Sequence, residues 1–105
     1  MPAPRDGRGP FYLDFSEHVG EQLKKLQRQA SRRGQGKAFT AAFRRIVRLL
    51  RKDPTSVGEP LYRLPDLRLQ MRTIVVAPLV IDFAASEIRP IVYIRSGKLL
   101  SAGTS

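Results

Sequence analysis

The sequence predicts an α+β, two-layer domain of order β-α-α-β-β-β, with a helical hairpin packed on a mostly antiparallel four-stranded sheet. Three observations predict it. Residues 11–15 (FYLDF) alternate strictly, placing Phe11, Leu13 and Phe15 on one face and Tyr12 and Asp14 on the other, the pattern of a half-buried strand. Two helical stripes follow, separated by a glycine turn. Three β-rich runs close the chain, joined by links short enough for an antiparallel meander.

Each element has its own local cause. Ser16 is a candidate N-cap, with Glu17 and Glu21 near the positive end of the helix dipole. Val19, Leu23, Leu26 and Ala30 then fall at i, i+4, i+7 and i+11, one helical stripe. Arg32, Arg33 and Gly34 stop that helix, with cations in the last turn and then glycine. Phe39, Ala42, Phe43, Ile46, Leu49 and Leu50 form the apolar arc of a second helix, ended by Asp53-Pro54 because the residue before proline avoids helical angles. Residues 54–66 read as a long proline-punctuated connection. A strand is then expected from Leu67 through Val76, broken by Ala77-Pro78. Further strands are expected over 79–83 and 90–95, with a turn at 84–87. The first strand is expected at a sheet edge or beside the last strand. Residues 1–10, with three prolines and two glycines, read as a flexible arm, residues 11–98 as one domain, and residues 99–105 as a frayed tail.

Composition narrows the function. A chain of 105 residues with 42% hydrophobic residues has room for one core. With no cysteine there is no disulfide framework, thiolate zinc site or cysteine nucleophile, and a single histidine, His18, excludes a multi-histidine metal site. No apolar run reaches the ~18 residues of a membrane span and the first residues lack a secretory apolar core, so a cytoplasmic protein is expected.

Charge is the strongest signal. Lys and Arg number 19 against 9 Asp and Glu, a formal net charge of +10. Eleven of the cations (Lys24, Lys25, Arg28, Arg32, Arg33, Lys37, Arg44, Arg45, Arg48, Arg51 and Lys52) lie in residues 22–52, which contain no acid. Natural surfaces mix signs, so an acid-free segment of this length points to a polyanionic partner. Lys24, Lys25, Arg28, Arg44, Arg45, Arg48, Arg51 and Lys52, with Arg63 in the proline-rich connection beside Tyr62, are the candidate nucleic-acid contacts.

The hairpin ending AFRRIVRLLRKDP, the following GEPLYRLPDLRLQMR and the closing APLVIDFAASEIRPIVYIRSG together resemble the RelE/ParE superfamily of bacterial toxins over about residues 11–98. That resemblance implies the βααβββ fold and the toxin role in a type II toxin–antitoxin module. It also implies a cognate antitoxin that wraps the domain, no cofactor, and a target that is either mRNA on the ribosome or DNA gyrase. Matched to the family's basic positions, Arg68 and Arg72 on one face of the strand after the hairpin, with Arg95 and Lys98 at the end of the last strand, are the candidate catalytic set of an endoribonuclease. Arginine supplies a phosphate clamp but no base, so the base would be His18, a lysine or a group from the ribosome. Ribonuclease members often carry an arginine where this chain reads Pro78-Leu79, and no tyrosine follows Tyr93. A gyrase-directed toxin without chemistry, or an inactive basic nucleic-acid- or protein-binding domain, therefore stays open.

Overall fold

A computed structural model describes residues 10–100. Its elements are β1 (Tyr12–Asp14), α1 (Glu17–Arg32), α2 (Gly36–Lys52), β2 (Glu59–Leu64), a 3-10 turn (Pro65–Leu67), β3 (Leu69–Val76), β4 (Leu79–Ser86) and β5 (Ile91–Leu99). The sheet has five strands, not the expected four, in the order β1-β5-β4-β3-β2. The additional strand is β2, which occupies what reads in the sequence as a loop. β2 pairs antiparallel with β3 through Glu59↔Thr73, Tyr62↔Met71 and Leu64↔Leu69, with a register shift between Pro60 and Tyr62. As an edge strand with one hydrogen-bonded side, it tolerates its proline. β1 is the opposite edge and runs parallel to β5, so the sheet is mixed. The 84–87 turn also moves, because β4 continues to Ser86.

The helices are built as their sequences demand. The Ser16 hydroxyl accepts from the Val19 N–H at 3.1 Å, capping α1. The chain leaves α1 through Arg33 and through Gly34 at φ 75°, and Asp53 caps the end of α2. Val19, Leu23 and Ala30 of α1 and Phe39, Ala42, Ile46 and Leu50 of α2 pack on Ile74, Leu79, Ile81, Phe83, Ala85, Val92 and Ile94 of the sheet. Phe11 and Leu13 join this core, but Phe15 turns to solvent and is 48% exposed. β4 lies in the middle of the sheet, and Asp82 is its one residue that is not buried. The first helix sits close on β5. A Cβ at Gly97 would lie 3.0–3.3 Å from Leu23, Ile81 and Leu26, and the Gly97 N–H donates to Gln22 Oε1 at 3.0 Å. Among the described residues no helix is long and apolar enough to cross a membrane.

This layering leaves two large free surfaces, the outer side of the hairpin and the helix-free face of the sheet. Residues 1–9 of the expected 1–10 arm and residues 101–105 of the expected 99–105 tail lie outside the described residues; Leu99, assigned to the tail, ends β5 instead.

Candidate nucleic-acid interface

Strand alternation decides which side chains reach the helix-free face. Ile81 and Phe83 point into the core, so Val80, Asp82 and Ala84 point away from it. Pairing then builds a row across four strands: Tyr62, Met71, Ala84 and Tyr93. Two buried residues form the floor and a tyrosine stands at each end, ~14 Å apart at three strand spacings. A second row, Leu64, Leu69 and Ser86, extends the floor. Leu67 from the 3-10 turn and Ile88 from the β4–β5 turn stand at the rim, 64% and 63% exposed, and Arg89 and Arg95 complete the lining. The result is a pocket of about 540 Å³ with an apolar floor, two phenol rings, two guanidinium groups and no carboxylate in its lining. Ser86 fixes the turn at its mouth, its hydroxyl accepting from the N–H groups of Ile88 (3.2 Å) and Arg89 (3.0 Å).

The four residues of the candidate catalytic set are not gathered in this pocket. Arg68 and Arg72 do not share a strand face. Arg68 precedes β3, in the left-handed conformation (φ 54°) that closes the 3-10 turn. Arg72 is buried on the helix side, where its guanidinium donates to the carbonyls of Val57 (3.0 Å) and Gly58 (3.4 Å). Arg95 lines the pocket, at the irregularity where β5 shifts register between Asp82 and Phe83. Lys98 lies further along β5, opposite Val80. His18 is in the first turn of α1, in the other layer.

Arg63 makes a two-pronged ion pair with Glu87, Nε to Oε2 at 2.6 Å and Nη2 to Oε1 at 2.7 Å. The pair ties the edge strand β2 to the turn after β4. The Arg63 hydrogen bond, helped by Gln70 and by the charges of Arg63 and Arg68, holds the Glu87 carboxyl below its ordinary value against partial desolvation. Nearby, the Ser56 and Thr55 hydroxyls, with the Arg72 charge behind them, hold the Asp53 carboxyl low.

Two residues that the sequence pattern did not single out belong to this face. Arg89 is a cation of the pocket lining. Asp82 stands one row beyond it, between Thr73 and Ser96, and accepts from the Ser96 hydroxyl at 3.4 Å. A lone acid in the apolar run LVIDFAA is the signal that marks it. Among the described residues no cluster of three metal-ligating side chains occurs.

The remaining candidates, Lys24, Lys25, Arg28, Arg44, Arg45, Arg48, Arg51 and Lys52, are all exposed on the hairpin. No protein-family model matches the chain, and a search of characterised proteins finds no relative.

Proposed function

We propose that the chain is a RelE/ParE-like toxin component of a bacterial type II toxin–antitoxin module, and that it acts by binding RNA on the helix-free face of its sheet. The observation that carries this reading is the pocket bounded by Tyr62 and Tyr93 with Arg89 and Arg95 in its lining. Unpaired bases stack on aromatic rings, and guanidinium groups hold the phosphates that link them. The net charge of +10 draws an RNA chain toward either face.

Binding without cleavage fits the geometry better than an endoribonuclease does. Strand cleavage needs a clamp, a base and an acid around one phosphate. Of the four cations assigned to that task, Arg95 alone lines the pocket and Arg72 is committed to loop carbonyls. The exposed Tyr62, Leu67 and Ile88 in the pocket lining favour a second use of the same surface, as the seat of the antitoxin or of a protein target.

Inducible expression in a bacterial host, with growth followed and mRNA ends mapped, tests the reading. Growth arrest without codon-phased cuts is the expected result, relieved by Tyr62→Ala and by Arg95→Gln. In vitro, either substitution should weaken binding of a short single-stranded RNA about tenfold, the scale of one stacked base. Codon-phased cuts would restore the endoribonuclease reading. Arrest with DNA damage would point to gyrase, and unchanged RNA affinity in both variants would overturn the pocket as the RNA site.

A further inference from the structure

We infer that the outer side of the helical hairpin is a second nucleic-acid surface, built for the sugar-phosphate backbone of duplex or folded RNA and independent of the sheet pocket. Helical phase places the cations. On α1, Lys24, Lys25, Arg28 and Arg32 occupy the arc opposite Val19, Leu23, Leu26 and Ala30, which face the sheet. On α2, Lys37, Arg44, Arg48 and Arg51 occupy the arc opposite Phe39, Ala42, Ile46 and Leu50. Both core stripes pack on the same side of the same sheet, so both cationic arcs point out of the same side of the molecule. They form one field, ~25 Å long from helices of 16 and 17 residues. Among the described residues one ion pair touches these cations, Lys24 with Glu21 at 3.7 Å.

Between the arcs runs an open groove whose lining includes Gln27, Ser31, Lys37, Thr40 and Arg44. It offers neutral hydrogen-bonding side chains in the seam and cations beside them, the inventory that grips a sugar-phosphate backbone. What the surface lacks identifies the partner class. Each exposed large hydrophobic among the described residues (Tyr12, Phe15, Leu61, Tyr62, Leu67, Val75, Ile88 and Leu100) lies outside both helices. A protein interface centres on apolar and aromatic anchors with charge at its rim. A face of cations and amides without such anchors suits a phosphate backbone, which binds by charge and releases counterions. The two surfaces are on opposite layers, so a single strand in the pocket and a duplex on the hairpin occupy the protein together.

The test measures affinity of the full chain for a short mixed-sequence RNA duplex over a range of salt concentrations. The variant Arg28→Gln/Arg32→Gln/Arg44→Gln/Arg48→Gln is expected to lower the slope of log affinity against log salt by about 3.6, close to one for each of the four phosphates the variant no longer neutralises. Its circular dichroism melting curve should stay near that of the parent. Should it not fold, Arg28→Gln and Arg44→Gln singly should each lower the slope by about one. A slope that moves by less than about one in the quadruple variant, or by nothing in both single variants, overturns the inference. So does displacement of the duplex by polyglutamate as readily as by unlabelled duplex, which marks an acidic-protein surface. Tyr62→Ala, which lies on the other layer, should leave the duplex slope unchanged while weakening single-strand binding. Failure of one reading is thereby separated from failure of the other.

Discussion

Arg72 and Gly58 form one device. The guanidinium of Arg72 is the donor for two consecutive loop carbonyls, Val57 and Gly58, and the chain reaches that position because Gly58 has φ 70°. A Cβ at Gly58 would run into the Thr73 carbonyl oxygen, so both the dihedral angle and the space require glycine. Gly58→Ala is expected to destabilise the protein by about 2 kcal/mol, read as a lower urea midpoint at unchanged slope. Arg72→Met, which keeps the length of the stem but removes the donors, should cost about 1–3 kcal/mol. In the sequence Arg72 is a polar member of an alternating strand, and alternation says nothing about whether a loop will fold over that member. Its burial was therefore illegible, because the carbonyls that bind it belong to a segment 14 and 15 residues earlier. Asp82 is the contrasting case. In the sequence it reads as no more than one member of the 79–83 strand, although a lone acid among apolar neighbours is a local signal.

Elements with strong periodicity were legible and edge elements were not. Both helices follow from spacing, since a long amphipathic stripe leaves little choice of partner surface, and the Ser16 cap of α1 and the two helix stops follow from residue type. β2 was hidden by Gly58, Pro60 and Pro65, residues that normally mark loops, and its identity comes from its pairing with β3 rather than from its own pattern. The strand is held at its far end by the Arg63–Glu87 pair, which gives the element an acid sensitivity. Glu87 has its folded-state value depressed, so its contribution is present above the ordinary glutamate range and is lost as pH falls through the depressed value. Glu87→Gln should therefore lower stability at neutral pH, where the pair is intact, and flatten the acid side of the profile, so that thermal unfolding of variant and parent converges as the pH falls. At the helix–sheet contact the expectations are steeper. Ile46→Ala should cost about 2–5 kcal/mol and Phe83→Ala about 3–5 kcal/mol, because both side chains are fully enclosed and the surroundings relax only in part around the space left behind. Chemical denaturation of the single variants checks both values.

The whole molecule separates two kinds of surface by layer. The helical layer carries charge without apolar anchors, and the sheet layer carries an aromatic and apolar hollow with two arginines. This separation was half legible. Charge placement along the chain predicted the first surface, whereas the second depends on four strands in register and became visible once β2 took its place beside β3. Neutralising the hairpin cations should leave the melting temperature within a few degrees of the parent, since they stand away from the core.

The parallel pairing of β1 with β5 has a consequence for biosynthesis. Leu13 lies opposite Val92, and the Tyr12 N–H donates to the Pro90 carbonyl at 2.7 Å. The earliest strand thus waits for the latest one, a pairing that spans most of the polypeptide and is slow to form. A nascent chain cannot finish its sheet until β5 has left the exit tunnel, so β1 emerges without the strand that pairs with it.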